Sequence, residues 1–416
     1  MRPVRVTIEG KFWDSQIYSG ELILFEEEGA IQRINWREAI DQLACQNEAM
    51  QTALRVAFLD GDLFYNPKVR KILLDPELAE PIKNQLAALE KNNVQANLST
   101  DWGKYCSKQY SPFQFLPTDT EIYYNTIFAA GNEGLYSAPR QASGRLNRQK
   151  QPERHHDGPI FQVKASDRYT SLATASGDDG LMEFPLEKDD QDYNVTQQKI
   201  LTTRSCSACD WAFQSVMGWT DSTAFMASFK EEKAPHGTGR IRLFDRVMDL
   251  SNDVFGSQPG ARSTGKSVAW GAREKMYFLT AAGLEVADYN PNPAKPKRKN
   301  SPHSMFDRRG SINQSIDVNQ VVSTGTAPFG TVIELNDQLL VIRSDGQTEQ
   351  FVGEPLHWRV FPRSEHYSNQ LHILYEDRVE IVSFVHDYFV SQDEKLSGFM
   401  RGADDALSRG NKSLWQ

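Results

Sequence analysis

Cysteine is scarce in this chain, and its scarcity excludes a fold built on disulfides. Only Cys45, Cys106, Cys206 and Cys209 occur among the 416 residues, which is too few to form a disulfide framework. Such low usage favours a reducing compartment, so we expect a cytoplasmic protein. Long apolar runs are also missing. No run approaches the roughly 18 residues that span a bilayer, and the first residues lack the apolar core of a signal peptide.

Catalytic and metal-binding motifs are equally scarce. No G-x-S-x-G, Walker-A or H-E-x-x-H pattern occurs. Cys206 and Cys209 form a single C-x-x-C, whereas a four-cysteine zinc site needs two such pairs. His155 and His156 stand in a polar, solvated stretch, and residues 60–62 start like a calcium loop but lack its acidic twelfth position. We therefore expect no cofactor, no bound metal and no enzymatic activity.

What the chain does contain is a recurring strand–turn–strand unit. Its plainest copy is Tyr169–Phe184, in which Ser176-Gly-Asp-Asp-Gly180 supplies the Asp and Gly residues that tight turns need. A short strand with an aromatic residue precedes most copies. The copies that we identify are Glu21–Trp36, Thr126–Ser137, Tyr169–Phe184, Ala224–Asp245, Lys275–Asp288, Gln338–Phe351 and Leu371–Phe384.

Repeated small meanders predict a propeller, because each meander alone cannot bury both of its faces. We expect an all-β fold, a seven-bladed β-propeller of four-stranded antiparallel blades. It would form a single domain over residues 1–390, followed by a polar tail at 391–416. The alternation of Val4, Val6 and Ile8 indicates a strand that completes the last blade and joins the two ends of the chain.

Two segments carry a resemblance to a known family. Ser176–Phe184 and Gly237–Asp245 resemble the inner hairpin of WD40-type repeats, although no unit has both the Gly-His and the Trp-Asp signature. The resemblance implies membership of the WD40-like seven-bladed β-propeller superfamily.

Three insertions interrupt the pattern. Residues 37–95 have helical spacing of apolar residues around an extra hairpin expected at 56–65, and two basic loops cover about 140–157 and 291–312. Because each follows the outgoing strand of a hairpin, we expect all three on one face of the propeller, where repeat folds bind partners. The basic residues that we predict to contact a partner are Arg145, Arg148, Lys150, Arg154, Lys297, Arg298, Lys299, Arg308 and Arg309.

Three functions fit these observations. The first is a non-catalytic protein–protein interaction scaffold or a subunit of a multi-protein complex, binding one or more proteins and no membrane. The second is a propeller hydrolase or lyase with a site at the central channel, for which the inner strands offer Asp210, His357 and Arg359, and also the indoles Trp211, Trp270 and Trp358. The third is an accessory subunit that contacts nucleic acid through the basic loops, which the net charge of −9 disfavours. We predict the first.

Overall fold

The fold is known from a computed structural model. It describes residues 2–59, 75–92, 94–98, 101–140, 151–189, 192–220, 223–233, 240–250, 267–272, 275–281, 283–290, 305–312, 316–344, 346–364 and 366–385. Described residues up to 114 and from 322 onward form one compact unit, unit 1, and those from 115 to 321 form a second, unit 2. The calcium-like residues 60–62 and the predicted tail lie outside the described residues.

Unit 1 holds three sheets, which we number as blades in chain order. Blade 1 consists of β2 (Phe12–Tyr18), β3 (Glu21–Glu26), β4 (Ala30–Asn35) and β6 (Cys106–Tyr110). Blade 6 consists of β24 (Val321–Ala327), β25 (Gly330–Leu335), β26 (Gln338–Arg343) and β27 (Thr348–Val352). Blade 7 consists of β28 (His357–Val360), β29 (Gln370–Leu374), β30 (Arg378–Ser383), β1 (Val4–Glu9) and β5 (Val94–Ala96).

Unit 2 holds the other four sheets. Blade 2 consists of β7 (Asp119–Tyr123), β8 (Thr126–Gly131), β9 (Gly134–Pro139) and β10 (Glu153–His156). Blade 3 consists of β11 (Gln162–Ala165), β12 (Ser171–Ala175), β13 (Leu181–Asp189) and β15 (Lys199–Thr202), with β14 (Asp192–Val195) paired to the far end of β13. Blade 4 consists of β16 (Ala208–Ala212), β17 (Ser215–Trp219), β18 (Ala224–Lys233) and β19 (Arg240–Asp249). Blade 5 consists of β20 (Val268–Ala272), β21 (Lys275–Thr280), β22 (Gly283–Tyr289) and β23 (Phe306–Ile312).

These sheets confirm the predicted fold class. The chain is an all-β, seven-bladed β-propeller of four-stranded antiparallel blades, with helices near its N-terminus. Two predicted hairpins are displaced by one strand, since Ala224–Asp245 and Gln338–Phe351 form third-and-fourth-strand pairs, whereas Tyr169–Phe184 covers the second and third strands. Every turn of a meander has similar chemistry, so the sequence alone does not distinguish the inner pair from the outer pair.

The predicted closure by the N-terminal strand is confirmed. β1 runs antiparallel to β30 in a register from Val4 opposite Ser383 to Glu9 opposite Arg378. Its other edge pairs in parallel with β5, where Val6 lies opposite Val94. The two ends of the described chain are therefore joined in one sheet, and the closing strand has hydrogen-bonded neighbours on both sides.

The described residues of the insertion between β4 and β6 form three α-helices: α1 (Trp36–Gln46), α2 (Gln51–Phe58) and α3 (Pro76–Lys91). The side chains of Asn35 and Asp75 cap α1 and α3 by accepting from backbone N–H groups, as residues at helix starts commonly do. The hairpin expected from residue 56 onward is wrong for residues 56–58, which continue α2. Residues 60–65 lie outside the described part. None of the described helices is long and apolar enough to cross a membrane.

The helical insertion shares one hydrophobic core with blades 1 and 7. Trp36 and Trp102 are both fully buried and meet edge to face at 5.9 Å between ring centroids. The Trp36 Nε1–H donates to the carbonyl oxygen of Phe58 at 2.7 Å. The Ser383 hydroxyl, on β30, donates to the carbonyl oxygen of Ala57 at 2.6 Å. The insertion is therefore an integral part of unit 1.

Candidate functional site

The predicted basic contact residues fall into two groups. Six of them lie outside the described residues: Arg145, Arg148, Lys150, Lys297, Arg298 and Lys299. Arg154 belongs to β10 and forms an ion pair with Asp157. Arg308 and Arg309 belong to β23, and the Arg309 side chain is 13% exposed. Their role in partner binding stays a prediction.

The charge of Arg309 is already matched inside its blade. Its Nε–H donates to Asp288 Oδ2 at 2.6 Å, and Asp307 lies 3.1 Å from the same guanidinium. Burial alone would raise the pKa of Asp288, but the charges of Lys275 and Arg309 hold it below its ordinary value. Arg309 therefore helps to fix the outer strand of blade 5.

The histidines and cysteines that the sequence draws attention to have protein partners. His155 and His156, predicted in a loop, lie on β10, where their rings bond Ser137 Oγ at 2.7 Å and Gln198 Oε1 at 3.1 Å. Cys206 and Cys209 are buried free thiols, and burial raises the pKa of Cys206 to about 11. A thiol with so high a pKa is a poor nucleophile at neutral pH.

The residues offered for a hydrolase or lyase are engaged in structural contacts. Arg359 forms two hydrogen bonds with the fully buried carboxylate of Asp14, at 2.9 and 2.8 Å. His357 Nε2 lies 3.5 Å from the same carboxylate. In unit 2, Asp210 Oδ1 accepts from the backbone N–H of Trp211 at 2.7 Å.

The three indoles are held in a similar way. Trp211 and Trp270 are buried, and Trp270 stacks on Tyr277 at 5.5 Å. The Trp358 Nε1–H donates to Ser323 Oγ and to Glu334 Oε2, both at 2.9 Å. The first contact joins two paired strands of blade 5, and the bonds of Trp358 join β28 of blade 7 to β24 and β25 of blade 6.

A hairpin of blade 4 projects well beyond the rest of its sheet. β18 and β19 continue past a register shift between Ser228 and Phe229. We call residues 229–233 and 240–244, beyond this shift, the arm. Such a bulge bends a strand and increases its twist. The arm contacts a set of side chains from blades 3 and 4, which we call the seam: Tyr169, Glu183, Trp211 and Gln214.

Arg242 anchors the arm to the seam. Its Nη1–H donates to Glu183 Oε1 at 2.6 Å, and its Nε–H donates to the carbonyl oxygen of Gln214 at 2.5 Å. Its guanidinium carbon lies 3.4 Å from the ring centroid of Phe229, 5.1 Å from that of Tyr169 and 5.3 Å from that of Trp211. An arginine at these distances from aromatic rings gains cation–π attraction in addition to the ion pair.

A second pair of contacts ties the arm to the loop before β12. Arg168 Nη2 and the Tyr169 hydroxyl both donate to Glu231 Oε1 at 2.5 Å. Burial, together with Glu231, raises the pKa of Tyr169 to about 12, so this hydroxyl remains a donor at neutral pH. The outward side of the arm, opposite Arg242, exposes Ile241 and Leu243 by 37% and 40%, beside Lys230 and Glu232 of the paired strand. Phe244, on the same face as Arg242, is 51% exposed.

A stacked tyrosine pair lies at the same end of the neighbouring blades. Tyr124 and Asn125 form the turn between β7 and β8 with φ of 45° and 62°, a left-handed conformation that is strained for a tyrosine. The ring of Tyr124 stacks on Tyr193 of β14 at 3.8 Å between centroids and is 39% exposed as a residue. The Tyr123 hydroxyl donates to the carbonyl oxygen of Tyr169 at 2.9 Å. Blades 2, 3 and 4 are thus linked side by side through tyrosines.

Unit 1 contains a polar groove of about 350 Å³ beside β27 and β1. Its charges are matched locally. Glu380 accepts from Arg5 at 3.1 Å and from Arg378 at 2.9 Å, while Glu349 pairs with the buried Arg343 at 2.9 Å. The groove therefore has no strong preference for a ligand of either charge.

The arm and its seam were not identified as a site from the sequence. The signal was present in Arg240-Ile-Arg-Leu-Phe-Asp-Arg246, where arginines alternate with apolar residues at strand spacing. Strand alternation places Arg242 on the face opposite Ile241 and Leu243. The sequence could not show that the Arg242 face turns inward, because that depends on the bend at Ser228 and on aromatic residues from another blade.

Comparisons with known proteins give structural resemblance only. No protein-family model matches the chain, and no curated protein matches its sequence. The β-propeller domain of Cps50 (Swd1) from Myceliophteria thermophila is 8% identical, with a TM-score of 0.45 over 90% of this chain and 96% of that chain. The Pan2 WD40 domain of Neurospora crassa is 8% identical, with a TM-score of 0.44 over 90% of each chain. The computationally designed Ika8 protein is 8% identical, with a TM-score of 0.45 over 92% of this chain and 100% of that chain. By the strand order of its own blades, the chain is a seven-bladed β-propeller.

Proposed function

We propose that the protein is a non-catalytic interaction scaffold or a subunit of a multi-protein complex. Its partners would bind to insertions between the third and fourth strands of the blades. The observation that carries this proposal is the position of those insertions. In six of the seven blades the longest connection within the blade joins the third strand to the fourth, and in five of these it has six residues or more, at residues 36–105, 140–152, 190–198, 234–239 and 290–305. Every other turn within these five blades has at most five residues.

Equivalent connections leave a propeller blade at the same end, so the additions in blades 2 to 5 favour a single binding face of unit 2. The turn between the first and second strands leaves at that end too, and it carries the strained Tyr124 in blade 2. A strained, exposed aromatic residue at a turn is a feature more typical of recognition than of stability.

The arm is the best-defined docking element among the described residues. It exposes three apolar side chains on a segment that is held in place by the bonds of Arg242 to Glu183 and of Glu231 to Tyr169. Apolar and aromatic residues on a pre-organised support are the usual centre of a protein interface. The helical insertion, by contrast, packs into the core of unit 1, so its deletion would unfold the protein and would not test binding.

The test uses point changes on the outward side of the arm. The protein is purified from its source cells with any bound partner, and the partner is identified and purified. Its affinity is then measured for the wild type and for the double variant Ile241→Ser/Leu243→Ser. We expect a loss of about tenfold or more, because central apolar residues dominate interface energy.

The matched control is Val352→Ser. Val352 is 79% exposed on the outer strand of blade 6, whose third-to-fourth connection spans only residues 344–347. It should leave the affinity unchanged. An equal loss in the control, or no loss in the arm variant, would contradict the proposal.

A further inference from the structure

The seam holds an unusual concentration of unsatisfied polar atoms. Ten buried side-chain nitrogen and oxygen atoms of the described residues lack a hydrogen-bond partner. Four of the ten belong to the arm, its bend and the seam: Glu183 Oε2, Gln214 Oε1, Ser228 Oγ and Arg242 Nη2. Buried polar groups are nearly always satisfied, so a cluster of exceptions indicates a place that is arranged for something other than stability.

The fit of Arg242 in the seam is incomplete in a specific way. A guanidinium usually meets a carboxylate through two parallel N–H···O bonds. Here only Nη1 and Oε1 are joined, while the other oxygen of Glu183 and the other terminal nitrogen of Arg242 are unpaired. The Glu183 side chain is 3% exposed, so solvent does not compensate its second oxygen. Burial lowers the pKa of Arg242 below its ordinary value despite the opposing effect of Glu183.

We propose that the seam is a binding site for an arginine side chain of a partner protein, and that Arg242 occupies this site within the chain until the partner displaces it. This inference rests on the proposed scaffold function and names the chemistry by which one partner is recognised. The arm thus acts as a built-in competitor for the site that it covers.

The seam selects a guanidinium over an ammonium group by its shape. Tyr169 and Trp211 offer aromatic ring faces, on which a flat guanidinium stacks. Glu183 offers two carboxylate oxygens, and the Gln214 carbonyl lies where it accepts from Nε. A lysine ammonium is compact and strongly hydrated, and it gains less from flat rings and from a fork of acceptors.

Two features of the arm, a bend at its base and a single tether, would allow a partner to displace it from the seam. The register shift at Ser228 and Phe229 supplies a bend about which it can lift. Its tether to the loop before β12 runs through a single carboxylate, since Arg168 and Tyr169 both donate to Glu231. A partner arginine that makes the two-bond contact with Glu183 would satisfy the oxygen that Arg242 leaves unpaired.

The experiment measures binding of acetyl-arginine amide to the full-length protein by isothermal calorimetry, with acetyl-lysine amide as the matched probe. Glu231→Ala removes the tether, including the hydrogen bond of the Tyr169 hydroxyl, and leaves the contacts of Glu183 and Gln214 in place. Arg242→Ala vacates the site. Lys230→Ala is the control on the same arm, since Lys230 is 62% exposed and pairs with Asp245 away from the seam.

We expect the wild type and Lys230→Ala to bind the arginine probe weakly and alike, because Arg242 competes with it. Glu231→Ala should bind about fivefold more tightly, in proportion to the population with a lifted arm. Arg242→Ala should bind more tightly still and prefer arginine over lysine by about tenfold. Glu183→Gln in either background should abolish that preference.

Absence of saturable arginine binding in Glu231→Ala overturns the inference, whether or not Arg242→Ala folds. Equal binding of the arginine and lysine probes in that variant overturns it as well. If partner binding depends on Ile241 and Leu243 but the arginine probe does not bind, this inference is wrong and the scaffold proposal stands. If Ile241→Ser/Leu243→Ser leaves partner capture intact, the arm-docking proposal fails separately.

Discussion

Ile8→Ala tests whether the helical insertion and the closing blade unfold together. Ile8 is fully buried on β1, opposite Val379 of β30 on one side and Ala96 of β5 on the other. Truncation of a buried isoleucine to alanine costs about 2–5 kcal/mol, since the surroundings relax only partly. A domain has a total stability of about 5–15 kcal/mol, so the loss is a large fraction of the whole.

The assay is urea unfolding followed by two signals, helical circular dichroism and tryptophan fluorescence. Both should shift to lower urea together, because the core that contains Ile8 also contains Trp36, Trp102 and residues of all three described helices. Arg5→Ala is the control on the same strand, since Arg5 is 47% exposed and Glu380 keeps Arg378 as a partner at 2.9 Å when Arg5 is removed; loss of such a partly exposed pair should cost about 1 kcal/mol or less. A shift no larger than that of Arg5→Ala, or a helical signal that keeps its wild-type midpoint, would refute the shared-core argument.

Three further changes have defined outcomes. Burial lowers the pKa of His372 to about 3, so below about pH 6.5 the unfolded chain protonates this imidazole while the folded protein keeps it neutral. The free energy of unfolding should therefore fall as the pH drops below about 6.5, by roughly 2 kcal/mol at pH 5. His372→Gln should flatten that fall in urea titrations at pH 7.5 and pH 5, whereas an unchanged pH dependence would argue against a neutral buried imidazole. Arg359→Met removes the charged partner that makes two hydrogen bonds to the buried carboxylate of Asp14 and should cost about 3–5 kcal/mol. The double variant Asp14→Asn/Arg359→Met should recover most of that loss in a double-mutant cycle, and purely additive losses would count against the pair. Tyr124→Asn relieves the strain of a left-handed backbone, about 1–3 kcal/mol, but loses the stacking contact with Tyr193, about 0.5–1.5 kcal/mol. Thermal stability should therefore stay level or rise slightly. A clear drop in the melting temperature would mean that Tyr124 mainly stabilises the fold.

Turn chemistry and strand alternation made the fold predictable. Gly180 illustrates why, because its φ of 86° and the Thr202 carbonyl 2.1 Å from any added Cβ require glycine at that turn. Val4 to Ile8 alternate so regularly that the closing strand could be identified and paired with the last blade.

Features that depend on contacts between distant segments could not be predicted. The sequence of residues 37–95 indicates helices, but their apolar faces do not reveal that β5 would pair with β1 or that Trp36 would lie against Trp102. The basic loops attracted attention through charge, yet Arg309 is matched by Asp288 within its own blade. The sequence does not single out Arg242, because the aromatic rings that surround it come from three separate strands and loops.

The most direct test of the scaffold proposal is hydrogen exchange of the protein with and without its purified partner. The proposal expects slowed exchange at the third-to-fourth-strand connections, most of all in the arm and in the hairpin of β13 and β14, which carries Tyr193. Exchange at β27 of blade 6 should not change. Protection confined to β27 and other outer strands, with the arm and the insertions unaffected, would contradict it.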